Sequence, residues 1–172
     1  MMDKYNNIPA NPDNISARKF NKLLDLTEFM KDKRLSNQNQ NQKSNQKSIH
    51  SAVILTNKFD LISYGENNYR KTQFSNHAET DAIRNIKNIK QNKKYYLFVT
   101  KFSQHIGKLG NSCCCIKCNL FLLQNYIKIN KIYYSIEDGI ACRKLDELPI
   151  HISELDRKKN NEKTLKKLSN YK

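Results

Sequence analysis

Apolar positions recur along this chain in two periods that trade places from one segment to the next. Phe20, Leu23, Leu24, Thr27 and Met30 are spaced for one face of a helix behind Asp13-Asn14, which predicts an amphipathic helix over 15–33 capped by Asp13 or Asn14. Residues 49–56 (IHSAVILT) and 59–64 (FDLISY) are β-rich runs separated by Asn57-Lys58, the pattern of a hairpin. Ala78, Ala82, Ile83, Ile86 and Ile89 then share a helical face over 76–90, and 95–100 (YYLFVT) reads as a buried central strand. Ile116, Leu120, Leu123 and Ile127 sketch another helix, and 129–135 (INKIYYS) another strand that Asp138-Gly139 stops. The order helix, strand, strand, helix, strand, helix, strand implies crossover connections and an α/β fold, a mixed sheet covered by helices.

The segments between these elements are informative mainly by what they lack. Residues 36–48 (SNQNQNQKSNQKS) have nothing to bury and predict a disordered, inserted loop. Pro9 and Pro12 break any helix in a polar N-terminal arm. Residues 145–155 are expected to pack as an edge element, and 156–172 are basic and weakly periodic. We therefore expect a single domain over 1–155 and a basic C-terminal tail over 156–172.

Composition narrows the setting. A formal net charge of +15 and a pI near 9.6 point toward a polyanion, making nucleic acid a candidate partner. The accompanying richness in Asn and Ile is also what AT-rich codon usage produces, so charge alone does not fix that partner. Four of the five cysteines fall between Cys113 and Cys118, unlike the spread half-cystines of a secreted disulfide framework. Neither an apolar signal core nor a bilayer-length apolar run is present, so a soluble intracellular protein, cytoplasmic or nuclear, with no membrane partner is expected.

The chemistry sits in His77-Ala78-Glu79 and Cys115-Ile116-Lys117-Cys118. One imidazole and two thiolates would hold Zn2+ and leave its fourth position open for water, as catalytic zinc sites require. Zinc lowers the pKa of such a water from 15.7 toward roughly 7, and a free carboxylate beside it, Glu79, can move protons. Cysteines three apart at a helix start can face one ion, and a histidine and glutamate two apart can share a site only near a first turn.

On these residues the chain resembles the cytidine and deoxycytidylate deaminase superfamily, in the H-A-E and P-C-x-x-C form, from about residue 49 through Gly139. Gly65-Glu66-Asn67 is similar to that family's Gly-x-Asn. The resemblance implies a three-layer α/β/α fold with zinc held between two helix N-termini. It also implies His77, Cys115 and Cys118 as ligands, Glu79 as proton shuttle, Asn67 as a contact to a nucleobase-containing substrate, and a tendency to homo-oligomerise. Two departures stand out. Cys114 replaces the family's proline, whose preset φ suits the first helical turn, so a looser ligand turn is expected. Residues 101–111 also lengthen the link between strand and cysteines, and they should border the pocket.

Each residue has a plainer reading beside this one. Asn76 with Glu79 three residues on is a capping box, Cys-x-x-Cys alone is a redox pair, and Gly-x-Asn-Asn is ordinary turn chemistry. Cys113 or Cys114 could replace Cys115 in the ligand set, whereas Cys142, His50, His105 and His151 read as structural or solvent-facing, with lining of the pocket as the alternative for His105. Together the motifs favour zinc-dependent hydrolytic deamination of a cytosine-type base, as nucleoside, nucleotide or polynucleotide. The alternatives are a catalytically silent, zinc-stabilised nucleic-acid-binding module and a tRNA adenosine deaminase-type enzyme.

Overall fold

The computed structural model describes residues 10–40, 48–67, 77–87, 93–103, 108–124, 128–137 and 139–148. The expectations for 41–47, Asn76, His105, His151 and the basic tail lie outside the described residues. Three helices, α1 (Ala17–Gln40), α2 (Ala78–Arg84) and α3 (Ile116–Gln124), accompany six strands. The strands are β1 (Ser48–Leu55), β2 (Leu61–Glu66), β3 (Tyr95–Ser103), the two-residue β4 (Leu109–Gly110), β5 (Ile129–Ile136) and β6 (Gly139–Arg143).

The sheet runs β2-β1-β3-β5-β6, with β4 pairing β3 off that path. Among the named strand pairs of the described residues, β3 and β5 alone are parallel, and α3 lies between them in the chain, as a parallel pair demands of its connection. Period-two alternation assigns the side chains to two cores. Ala52, Ile54, Leu97, Val99, Ile132 and Tyr134 pack with α2 and α3. Val53, Leu55, Phe98, Phe102 and Tyr133 pack with Phe20, Leu23 and Met30 of α1. The protein is thus a three-layer α/β/α structure around a mixed sheet, as expected.

Element bounds differ from the sequence reading where propensity and tertiary contact disagree. Helix α1 runs on to Gln40, so Ser36–Gln40 is not loop; once nucleated, helix propagates at little cost per added residue, and the Ser36 hydroxyl donates back to the Asp32 carbonyl. Asp13 does not cap it. Its carboxylate instead accepts from the Cys142 amide at 2.6 Å and pairs with Arg143, while Ala10 bridges to Gly139, which fixes this end of the chain on β6. Asp13 is accordingly held below the usual carboxylate range, its partial burial outweighed by Arg143 and the Cys142 amide. Gly139 does not end the sheet; it starts β6, which returns antiparallel against β5. A 3-10 turn at Leu145–Glu147 follows it, in place of the expected edge element there.

Helix α2 is shorter than the expected 76–90, because Asn85 closes it and turns its side-chain amide onto the Tyr64 carbonyl at 2.9 Å. Two further bonds clamp it to β2: the Ser63 hydroxyl donates to the Ala82 carbonyl at 2.7 Å, and the Glu66 amide donates to Asp81 at 3.1 Å. Gly65 makes that contact possible. A Cβ there would lie 2.2 Å from the Ala82 nitrogen and 2.4 Å from the Ala78 oxygen, both backbone atoms that cannot swing aside. Gly65→Ala should therefore destabilise the fold by about 1–3 kcal/mol or more, read as a lower urea midpoint. An unchanged midpoint would mean that α2 does not need this approach.

Candidate metal centre

The register Val99↔Ala52↔Gly65 brings the start of α2 over the far end of β3, and the cysteine segment arrives at the same end. His77 is the residue before α2, extended at φ −76° and ψ 151°, with its side chain making no capping bond. Its carbonyl instead accepts from Asp81 N at 3.0 Å and from the Thr80 hydroxyl at 2.8 Å. That geometry answers the spacing problem of His77 and Glu79. The histidine leaves the chain from extended backbone, and Glu79 follows in the first helical turn.

Residues 111–115 approach α3 as irregular backbone tied to the sheet by two buried serines. Ser112 exchanges backbone hydrogen bonding with Ser135, donating N–H to its carbonyl at 2.9 Å. The Ser112 hydroxyl donates to the Val99 carbonyl at 2.7 Å and accepts from Ser135 N at 2.8 Å. The Ser135 hydroxyl in turn donates to Gly110 O at 2.7 Å and accepts from Lys101 N at 3.0 Å. The ligand turn is thus anchored from both sides although Cys114 stands where the resembled family has proline. Cys114 is fully buried.

Cys115 immediately precedes α3 and Cys118 lies in its first turn, with Asn119 N donating to the Cys115 carbonyl at 3.0 Å. Both sulfurs lie 3.3 Å from His77 Nδ1, and the three ligand atoms are all within 4.8 Å of one another. Tetrahedral zinc with Zn–N near 2.0 Å and Zn–S near 2.3 Å would separate N from S by about 3.5 Å. The residues present therefore fit the ion. Among the described residues no fourth His, Cys, Asp or Glu joins this group, the composition of an open site rather than a closed structural one.

The sulfurs are electrostatically unequal. Hydrogen bonding from Cys118, aided by His77, pulls the Cys115 thiol down to about 4 against the effect of burial. Cys118, donating that hydrogen bond in a buried place, is pushed up. Without metal the pair thus keeps one proton between them. Burial pushes the Cys113 thiol up to about 11, with the charges of Glu79 and Cys115 adding to it. Burial and then Glu79 raise Cys114 further still. Neither joins the cluster around His77, which leaves Cys115 as the one of the three neighbouring cysteines that does. Cys142 is half-buried against the α1-side core, far from ligand duty, as expected.

Glu79 is 4 % exposed. Burial first, then the Cys115 sulfur, push its carboxyl up from the ordinary glutamate range. Asn67, also buried, accepts from His50 N through Oδ1 at 3.0 Å and donates its own N–H to the His50 carbonyl at 3.1 Å. Its Nδ2 has no partner among the described residues. A buried amide donor left unpaired is costly, and a ligand carbonyl or hydroxyl is the kind of group that would satisfy it. The packing role of Gly65 and the anchoring roles of Ser112 and Ser135 were not read from the sequence. Their roles depend on contacts between segments far apart in the chain, and no local signal marks them.

No helix among the described residues is long and apolar enough to cross a membrane. None of the curated proteins compared with it matches this chain. Residues 25–136, by contrast, match the family described as the cytidine and deoxycytidylate deaminase zinc-binding region, a span that begins in α1 and ends with β5. An N/S/S cluster sized for Zn2+, set at the starts of two helices on one face of a mixed sheet, is thus explained by descent: the chain belongs to the cytidine and deoxycytidylate deaminase family, whose metal is zinc.

Proposed function

We propose that this protein is a hydrolytic deaminase of a cytosine-type base, presented as a nucleoside, nucleotide or polynucleotide. The observation that carries the proposal is the placement of a buried carboxyl, Glu79, two residues from a histidine that meets two cysteine sulfurs at 3.3 Å. In this reading His77, Cys115 and Cys118 hold Zn2+, which supplies Lewis acidity that makes water a competent nucleophile near neutral pH. Glu79 takes the proton released as the C4–O bond forms and gives it to the ring nitrogen N3. It then takes the second proton from the hydroxyl now on C4 and gives it to the amino group, so that C4=O forms, the C4–N bond breaks and ammonia leaves. Overall one water is consumed and one ammonia is released for each base converted.

A carboxyl biased toward its protonated form by burial suits that shuttle, since burial lowers the cost of its taking up a proton. Asn67 would hold the substrate through its unpaired Nδ2 while His50 fixes the opposite side of the amide. The replacement of proline by Cys114 leaves the three ligand atoms within reach of one ion.

The test combines metal analysis with an ammonia-release screen on cytidine, deoxycytidylate, guanine, adenosine-containing RNA and single-stranded oligonucleotides. About one zinc per chain with ammonia from a cytosine substrate is the expected result. Zinc without ammonia from any of them would leave a zinc-stabilised binding module, and ammonia from adenosine alone would move the protein to the other base.

A further inference from the structure

At the end of the sheet away from the metal centre, where β1 leaves and β3 and β5 begin, lies an open cleft of about 770 Å3. The loop after β1 contributes Asn57 and Lys58, the approach to β3 contributes Lys93 and Lys94, and Tyr96 and Asn130 complete the wall. All three lysines are exposed, and among the described residues none of them is ion-paired. The one carboxylate on the cleft, Asp60, accepts from the Thr56 hydroxyl at 3.0 Å within the β1–β2 turn. The Tyr96 ring is half-buried, its position set by Phe59 and Tyr133 at centroid distances of 5.2 and 5.7 Å. Read along the sequence, no basic and aromatic stripe is evident. The fold builds one by bringing Lys58 beside the run Lys93-Lys94-Tyr95-Tyr96.

We propose that this cleft is a docking site for single-stranded nucleic acid, with Lys58, Lys93 and Lys94 on consecutive phosphates and Tyr96 and the two asparagines beside the bases. Three unneutralised ammonium groups from two chain segments suit a phosphodiester backbone better than one phosphate. Partly exposed aromatic and amide groups between them are what sequence-tolerant strand binding uses. The net charge of +15 adds long-range attraction for such a polyanion. The site is spatially separate from the zinc ligands, and its failure would leave the deaminase reading untouched.

The test is fluorescence anisotropy of a labelled single-stranded RNA on the zinc-loaded full chain across a salt series. Three phosphate contacts weaken single-strand binding by about 20-fold between 50 and 200 mM salt. Lys58→Ala/Lys93→Ala/Lys94→Ala should accordingly lower the log–log salt slope by about 2, and the corresponding triple arginine variant should restore it. Lys33→Ala/Lys87→Ala/Lys108→Ala, which removes the same charge from exposed positions outside the cleft, should change the slope little. Equal losses in the two alanine triples would show diffuse attraction and overturn the proposal. So would the absence of binding by the unaltered chain, or displacement of the strand by tripolyphosphate at equal phosphate concentration.

Discussion

Glu79→Ala is expected to retain about one zinc per chain while turnover falls by about 10²–10⁴-fold, the usual scale for removing a general acid–base group. The carboxyl is outside the His77, Cys115 and Cys118 cluster, so its loss leaves every proposed ligand in place. Glu79→Gln should behave the same way in turnover, because an amide of equal size cannot exchange the proton. The two variants separate chemistry from packing. Alanine leaves a cavity in a core that includes Ala78 and Cys114, whereas glutamine fills it. Glutamine also removes a buried ionisable group that burial already disfavours in charged form, so its thermal midpoint in metal-free protein should equal or exceed that of the unaltered chain. Turnover surviving in both variants, at full zinc occupancy, would remove Glu79 from the mechanism.

The four residues of the proposed centre were legible because their chemistry is local: residue type and spacing within His77-Ala78-Glu79 and Cys115-Ile116-Lys117-Cys118 carry it. Choosing among Cys113, Cys114 and Cys115 required the third dimension, since only the backbone path from Ser112 into α3 decides which sulfur meets His77. The two-faced strands were legible for a similar reason. In β1 and β3 consecutive apolar residues serve opposite cores, so a continuous apolar run signals a strand covered on both sides. Helix α1 was misjudged at its end because the sequence of Ser36–Gln40 holds no apolar residue, and continuation there rests on propagation from the packed turns before it. Strand β6 was missed because Asp138-Gly139 reads equally well as a stop and as a hairpin turn. Gly139 proves to be needed where Ala10 crosses it, 2.0 Å from where a Cβ would be. The packing roles of Gly65 and of the Ser112–Ser135 pair were invisible for the same reason, being defined only by close approach between distant segments.

Removing the metal should cost more stability than any of the serine anchors. Cys118→Ser and His77→Ala are each expected to drop zinc from about one per chain to near none, whereas Cys114→Ala should keep it. The contrast follows from geometry, since the first two delete atoms at 3.3 Å from a partner ligand and the third deletes a thiol outside the cluster. Zinc binds the folded site and stabilises it by mass action, about 4.1 kcal/mol when free zinc exceeds its Kd 1,000-fold. In a domain of this size that corresponds to a fall of about 8–16 °C in thermal midpoint on chelation. The chelated unaltered chain and the zinc-saturated Cys118→Ser variant should therefore melt together. Proton release gives an independent check. The metal-free pair holds one proton, Cys115 being pulled down and Cys118 pushed up, and binding must expel it. Zinc affinity near neutral pH should then rise about tenfold per pH unit and fall again by that factor on acidification. Affinity that ignores pH, or zinc that leaves with Cys114→Ala and stays with Cys118→Ser, would assign the metal to other sulfurs.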